Sequence, residues 1–277
     1  MRRSPFVVTA VVLLSAIAAS AVPARAHDLF LTLRSFFAPP QTAIEIHALN
    51  GTFSSSVAVV ARDRMIDVSV WSPAGRARLD TTAWLERRDT TVLTLRTGGP
   101  GTYAVGVSTR PRILALKAPD FNAYLASEGV PEVLAARRRD GELDRPARER
   151  YSKHVKALIQ VGDAPSGAFG AVFGYPAEIV PLDNPYALRA GPGSRLRVRA
   201  LVGDTAQPAL TLQVGGRDLR GARLPQREIV TDSAGIAELR LVVPGRYYVK
   251  FIRMRRLVDD AAADYESRWA TLTFELR

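Results

Sequence analysis

The sequence lacks several kinds of residue and motif on which enzymes rely. Among its 277 residues there is no cysteine, and there are only three histidines. The absence of cysteine excludes disulfide bonds, thiolate metal sites, cysteine nucleophiles and a lipid-modified amino-terminal cysteine. There is also no glycine-rich phosphate loop, nucleophile elbow or paired-histidine zinc helix. We therefore predict that the protein is not an enzyme, and that its fold depends on an apolar core alone.

Lysine is also scarce, so arginine supplies most of a formal net charge of +11. Three of those charges lie within the first 26 residues. The remaining arginines are scattered over predicted strands and loops. A basic groove with interleaved aromatic residues, the usual mark of a nucleic-acid-binding surface, is not visible. We expect no nucleic-acid partner.

The amino-terminal segment has the three parts of a secretory signal. Arg2 and Arg3 precede an apolar stretch over residues 6–21, and Pro23 is followed by the small residues of an Ala-Arg-Ala site that ends at Ala26. The stretch is shorter than the roughly 20 apolar residues of a membrane-spanning helix. We predict a signal peptide at 1–26, cleavage after Ala26, a periplasmic mature chain and no stable membrane insertion. An uncleaved anchor and cleavage after Ala21 are the alternatives.

Two parts of the chain, 27–110 and 176–277, contain short stretches in which apolar and polar residues alternate, with glycine or proline turns between them. Such stretches are typical of antiparallel strands. The clearest are 44–48, 67–71, 103–107, 196–202, 210–214, 238–243, 246–254 and 268–276. A polar turn at 231–235 is typical of transthyretin-like sandwiches. We predict a mainly β protein with two antiparallel β-sandwich regions, immunoglobulin- or transthyretin-like.

The intervening segment, 111–175, is predicted to be a helical insertion. Asp120 can cap a helix that ends at Gly129, and Pro131 suits the first turn of a second helix that ends in three arginines. A third helix is predicted from near Pro146 to about Val161. On it Tyr151, Val155 and Leu158 would share one face.

His27 is the residue with the most unusual predicted chemistry. If cleavage follows Ala26, it carries a free α-amino group with a pKa of about 7.7–8.0 beside an imidazole with a pKa near 6.5. Both nitrogens can lose their protons near neutral pH, so one residue can chelate a metal ion. Such a nitrogen pair suits copper, nickel or zinc. The alternative is a polar residue at a mobile terminus.

A metal site at His27 needs further ligands, and the sequence offers few. We predict that His47 and His154 are the other ligands, with Asp28 and Met254 as additional candidates. For His154 the default interpretation is a packed, hydrogen-bonded core residue. His47 projects opposite Ile44 and Ile46, toward solvent or a neighbouring region.

Two acidic features have open interpretations. Glu178 is either a buried acid or a surface residue on a short strand. The acidic residues at 259–266 match no calcium loop, so we interpret them as a solvated loop.

Seven segments resemble one known family. They are residues 26–31 (AHDLFL), 50–53 (NGTF), 120–129 (DFNAYLASEG), 148–157 (RERYSKHVKA), 178–181 (EIVP), 231–235 (TDSAG) and 265–274 (YESRWATLTF). The chain is similar to the exported domain-of-unknown-function family 4198, whose members are often labelled as periplasmic proteins associated with nickel or cobalt uptake. The resemblance implies an all-β framework with a helical insertion and a metal-handling role, with a ligand at His27. A histidine that members often carry near 251–254 is absent here.

These observations lead to two hypotheses about function. The first is a periplasmic binding or accessory protein that handles a transition-metal ion (nickel, cobalt or copper) and passes it to a membrane metal transporter. The alternative is a non-metal interaction module of the cell envelope that binds a protein, peptide or glycan through its sandwich loops. An oxidase-like use of an amino-terminal histidine ranks third.

Overall fold

A computed structural model describes residues 27–80 and 84–277. The predicted signal peptide, 1–26, lies outside the described residues. Within the described part, no helix has both the length and the apolar character needed to cross a membrane.

Strands make up most of the described chain, with two α-helices in its middle. The strands are β1 (Asp28–Thr32), β2 (Phe37–Ala38), β3 (Ala43–Thr52), β4 (Ser55–Ala58), β5 (Met65–Ser72), β6 (Gly75–Arg78), β7 (Trp84–Arg87), β8 (Thr90–Arg96), β9 (Gly101–Thr109), β10 (Arg112–Leu116), β11 (Ala147–Val161), β12 (Ala177–Pro181), β13 (Arg195–Val202), β14 (Thr205–Ala206), β15 (Thr211–Asp218), β16 (Arg223–Val230), β17 (Ile236–Arg240), β18 (Gly245–Arg256) and β19 (Tyr265–Leu276). The helices are α1 (Ala118–Ser127) and α2 (Pro131–Arg139). The predicted mainly β class is confirmed.

One large sheet runs through the molecule, with strand order β16-β15-β18-β19-β11-β9-β5-β6, and β2 and β10 also pair with β11. Most of its pairs are antiparallel, but β11 and β19 run parallel. Two smaller sheets accompany it. The first has the order β1-β3-β8-β7 with β4 beside β3, and the second has the order β12-β13-β14 with β17 beside β13.

The small sheets pack on opposite faces of the large one, and β11 contributes to both cores. Its Val155, Ala157 and Ile159 join a core with the first small sheet. Leu158, which points the other way because side chains alternate along a strand, joins a core with the second. The result is two sandwiches that share their middle layer. Strands from all three predicted segments, 27–110, 111–175 and 176–277, pair in that layer.

Two of the three predicted helices are confirmed, although α1 begins at Ala118, so that Asp120 lies in its first turn and does not cap it. Each of α1 and α2 has a proline in its first turn, and α1 is followed by Gly129 in a left-handed conformation (φ +76°). Both helices pack over the end of β18 and β19, where Phe121 and Leu125 are buried against Trp269. They cover the same face of the large sheet as the first small sheet.

The predicted third helix is wrong, because residues 147–161 form β11. All residues from Ser152 to Val161 are buried, which is the pattern of a central strand covered on both faces. The spacing of Tyr151, Val155 and Leu158 fits a helix, but it fits a continuous buried run equally well. The β-branched residues of this segment favour the strand.

The strands predicted at 238–243 and 246–254 are separated by Pro244 and Gly245, and the structure places them in different sheets. The preceding strand, β17, pairs with β13 in the second small sheet, whereas β18 pairs with β15 and β19 in the large one. The chain therefore crosses between layers here and does not form a hairpin. Gly245 permits the start of β18 to pair closely with β15, since a Cβ at this position would lie 2.5 Å from the carbonyl oxygen of Arg217.

Candidate functional site: a cleft between two hairpins

A cleft lies between the turn of the β3–β4 hairpin and the β15–β16 hairpin. It consists of two adjoining cavities of about 730 Å³ and 400 Å³ that share Phe53, Ser54 and Arg217. We call the larger cavity the arginine half, because it is lined by Arg34, Arg217, Arg220 and Arg246. We call the smaller cavity the amino-terminal half, because it is lined by His27, Asp28, Glu128 and Lys250.

Three aromatic rings fix the turn of the β3–β4 hairpin against the large sheet. The ring centroid of Phe53 lies 5.4 Å from that of Phe30 and 5.1 Å from that of Tyr248, and the two latter rings are 5.1 Å apart. The Phe30–Phe53 pair is edge-to-face, a geometry that aromatic quadrupoles favour. The boundary between the two halves is therefore held by packing.

Lys250 organises the amino-terminal half. Its Nζ lies 2.6 Å from Oδ2 of Asp28 and 2.7 Å from Oε2 of Glu128. Burial alone would lower the pKa of Lys250, but the charges of these two carboxylates outweigh burial and raise it above its usual range. Burial, with a contribution from the charge of Asp28, raises the pKa of Glu128. One ammonium group thus joins β18, β1 and the end of α1.

A second lysine lies close by in a different electrostatic environment. Lys153 of β11 donates to the carbonyl oxygen of His27, and its Nζ lies 5.3 Å from the ring centroids of both Tyr151 and Trp269. Burial, with help from the charge of Arg64, lowers the pKa of Lys153 to about 7. This side chain therefore changes charge near neutral pH, which an exposed lysine does not.

Two buried carboxylate oxygens accompany these lysines. Oδ1 of Asp28 and Oε2 of Glu149 have no hydrogen-bond partner in the described part of the chain. Burial raises the pKa of Glu149, even though its other oxygen accepts bonds from Ser267 and Tyr124. Asp28 thus keeps an unused acceptor in the amino-terminal half, and Glu149 keeps one in the protein interior beside Tyr124.

His27 stands at the edge of this group. It is half-buried, directly precedes β1 and lines the amino-terminal half. Its position is fixed by the Lys153 contact to its carbonyl oxygen and by the strand that follows, since Thr271 donates to the carbonyl oxygen of Leu29. Within the described chain, His27 is therefore an anchored residue.

His47 lies in the other half of the cleft. It is half-buried in β3, and its Nε2 lies 3.6 Å from Oε2 of Glu45. The β1–β3 register pairs Thr32 with His47 and Asp28 with Gly51. His27 and His47 are therefore separated by about five residues of strand, on the order of 16 Å.

His154 lies on the opposite face of β11 from Lys153. Its Nδ1 is 2.9 Å from Oγ of Ser108 and its Nε2 is 3.0 Å from Oγ of Ser152. Burial, with a smaller effect from Arg268, lowers its pKa to about 3, so the ring stays neutral. This confirms the packed, hydrogen-bonded interpretation of His154.

The structure does not bring the three predicted histidine ligands together. Over residues 27–80 and 84–277, no group of three or more histidine, cysteine, aspartate or glutamate side chains is arranged to hold a metal ion. Of the additional candidates, Met254 is buried beneath the helices, whereas Asp28 lies beside His27. A metal role for the histidines stays a prediction.

The contacts of Glu178 and of the acidic loop at 259–266 decide between their alternative interpretations. Glu178 is buried, and its carboxylate accepts from Lys156 at 2.9 Å and from the backbone N–H groups of Phe173 and Tyr175. In the acidic loop, Asp260 pairs with Arg150 at 2.7 Å, and the hydrogen bonds from this arginine lower the pKa of Asp260 to about 2. Arginine therefore neutralises part of the acidic loop.

Sequence reasoning missed the residues that organise the cleft. A signal was present in the rarity of lysine, because Lys153 and Lys250 are two of only four lysines, and Lys250 interrupts an otherwise apolar strand segment, where an unpaired charge is costly. Their partners, however, are more than 100 residues away along the chain. The arginine half could not be found either, because it depends on the strand register.

Comparisons with known proteins identify a family but no activity. No curated protein matches the chain. One similar solved structure is described as "Crystal structure of tetra-tandem repeat in extending region of large adhesion protein", with 12% identity and a TM-score of 0.24. The alignment covers 91% of this chain and 50% of that one, so this chain spans about half the length of that protein. Residues 24–255 match the family described as "Domain of unknown function (DUF4198)", and the chain belongs to that family.

Proposed function

We propose that the protein is a binding or accessory protein of the cell envelope, not an enzyme, that handles a transition-metal ion for uptake by a membrane transporter. Nickel and cobalt are the metals we favour. The observation that carries the proposal is the position of His27, which is anchored beside Asp28 and Glu128 in the amino-terminal half of the cleft.

The donor set fits a borderline transition metal. Cleavage after Ala26 would give His27 an α-amino nitrogen in addition to its imidazole, and the adjacent Asp28 offers a carboxylate whose Oδ1 has no hydrogen-bond partner among the described residues. Two nitrogens and one oxygen are ligands that nickel and cobalt accept. The α-amino nitrogen belongs to the main chain, so this chelate needs only two side chains.

The positive charge of Lys250 opposes metal binding at this site. Its ammonium group already binds Asp28 and Glu128, and a metal dication close to it would be repelled. The His27 nitrogens must also be deprotonated before they bind a metal. We therefore expect metal affinity to increase from pH 6 to pH 8, as the imidazole and then the α-amino group lose their protons.

Isothermal titration of nickel into protein that begins at His27 tests the proposal. Binding should be lost in His27→Ala and in a variant with one alanine added before His27, because the extra residue removes the α-amino nitrogen from chelating distance. His47→Ala is the matched control and should bind like the unmodified chain. Equal affinity in the extended variant would refute the amino-terminal chelate.

A further inference from the structure

Three arginines lie side by side across the edge of the large sheet. The strand register pairs Arg217 of β15 with Arg223 of β16 on one side and with Arg246 of β18 on the other. Cross-strand partners project from the same face of a sheet, and all three line the cleft. We call these three residues the arginine row. Like charges directly opposite each other destabilise a sheet, so the row needs an explanation.

The protein supplies little negative charge to the arginine row. Arg217 donates to neutral acceptors, the carbonyl oxygen of Gly221 at 2.6 Å and Oγ of Ser54 at 2.9 Å. Arg246 lies 3.5 Å from a carboxylate oxygen of Glu275, which also pairs with Arg277 at 3.4 Å. Among residues 27–80 and 84–277, Arg223 forms neither an ion pair nor a side-chain hydrogen bond.

Two neighbouring arginines add further positive charge to the cleft. Arg34 and Arg220 also line the arginine half, and both are exposed. Two acids, Asp89 and Asp218, line the same half. Asp218 accepts from the backbone N–H groups of Arg220 and Ala222, so one of its oxygens is used to form the turn, and Asp89 accepts from the hydroxyl group of Thr90.

Several arginines elsewhere on the surface have a close carboxylate partner. Arg148 lies 3.1 Å from Asp264, Arg197 lies 2.6 Å from Asp183, and Arg255 lies 2.8 Å from Glu266. Others outside the cleft have none among the described residues, such as Arg110, which donates to a backbone carbonyl oxygen. The distinguishing feature of the arginine row is therefore its geometry, because three arginines are direct cross-strand neighbours and Glu275 is the one carboxylate that pairs with them among the described residues.

We propose that the arginine row binds a small polycarboxylate anion, which would extend into the arginine half of the cleft. A guanidinium group presents a planar fork that matches a carboxylate bidentately. Adjacent strands are about 4.8 Å apart, so the row spans roughly 10 Å, a length suited to a ligand with two or three carboxylates. The hydroxyl groups of Thr32, Ser54 and Ser55 line the same half and can bond hydroxyl groups of the ligand.

This inference goes beyond the metal proposal and does not depend on it. Arg217 and Arg223 also line the amino-terminal half, but the inference needs none of the metal donors His27 and Asp28. It gives the non-metal binding alternative a specific ligand class. The failure of either proposal can therefore be observed separately. A chain that carries one extra residue before His27 should lose nickel binding and keep polycarboxylate binding.

The test is isothermal titration of citrate, a tricarboxylate, into metal-free protein. Arg217→Gln should weaken citrate binding by at least about tenfold, as expected for the loss of a charged hydrogen-bonding partner. Arg217→Lys, which keeps the charge without the fork, should fall between. Arg138→Gln removes one exposed positive charge from α2, outside the cleft, and should have no effect.

Three results would overturn the proposal. They are no citrate binding by the unmodified chain, equal weakening by Arg138→Gln and Arg217→Gln, and acetate or pyrophosphate binding as tightly as citrate. Folding is checked through Arg223→Gln, which relieves charge repulsion in the row. This variant should weaken citrate binding while leaving the melting temperature unchanged or raised, a combination that a structural role for Arg223 would not produce.

Discussion

Lys153 and Lys156 lie three residues apart in β11 and point to opposite faces of the large sheet. Lys156 donates hydrogen bonds to the carboxylate of Glu178 and to the carbonyl oxygen of Ala171, and Glu178 accepts from two backbone N–H groups as well. Lys153 faces the cleft region and donates to neutral oxygens of His27 and Asn50. We call the face of the large sheet that carries Lys156 the closed face, because its buried charge is fully paired. We call the face that carries Lys153 the open face. It leaves carboxylate oxygens without partners among the described residues, and for that reason we propose that function lies there.

The largest stability effect should come from the closed face. Glu178→Ala leaves the Lys156 ammonium group buried without its carboxylate, and removing one partner of a buried pair costs about 3–5 kcal/mol. The free energy of unfolding from urea denaturation measures the loss. The matched control is Glu238→Ala at the exposed pair with Arg195, where we expect a loss of less than about 1 kcal/mol. Similar losses for both variants would contradict the comparison.

We expect Lys153, on the open face, to make the free energy of unfolding depend on pH. The pKa of Lys153 is about 7 in the folded protein, below its unfolded value of about 10.4. The unfolded chain therefore binds more protons between these values, and stability rises with pH across this window by up to about 1.4 kcal/mol per pH unit. Lys153→Met should lose this part of the rise, as measured by unfolding between pH 7 and pH 10.

Lys156 and Lys250 also contribute to the pH dependence of stability. Burial also lowers the pKa of Lys156, which adds a rise of the same sign. The raised pKa of Lys250 acts oppositely, so its contribution is lost only as the pH rises above about 10.4. The difference between the unmodified chain and Lys153→Met isolates Lys153. Parallel pH profiles for the two proteins would show that Lys153 is not neutralised by its environment.

A smaller effect is expected at the amino-terminal half. Lys250→Met leaves Asp28 and Glu128 without their shared cation, and we expect a loss of about 1–3 kcal/mol, typical of unsatisfied buried polar groups. Because Glu128 retains 21% exposure, it can take up a proton and relieve part of the repulsion. The loss should therefore shrink when urea denaturation is repeated at pH 5. A loss that grows at pH 5 would contradict this account.

Parts of this fold could be predicted locally, and parts could not. The sandwich class followed from alternating segments, and α1 and α2 followed from prolines and glycines at their ends. The helix predicted over residues 147–161 is wrong because a continuous buried run fits the period of a helix and that of a strand. The strand is stabilised by parallel pairing with β19, which lies more than 100 residues away along the chain. The shared middle layer depends on the same pairing.

Part of the candidate site could likewise be predicted from local sequence, and part could not. His27 was selected because a predicted processing signal precedes it, and that prediction rests on a local feature of the sequence. The arginine row and the Lys250 bridge depend on strand register and on contacts between distant segments. No spacing along the chain encodes them. His47 and His154 were selected only because histidine is rare, and the fold separates both from His27.

The central claim is that the cleft beside β1 uses His27 as a chelating amino terminus. X-ray absorption at the nickel edge, on protein that begins at His27 and is loaded with one equivalent of nickel at pH 7.5, tests it most directly. We predict nitrogen and oxygen donors with the scattering of one imidazole, all lost in the variant with one alanine added before His27. An unchanged spectrum in that variant would contradict the account.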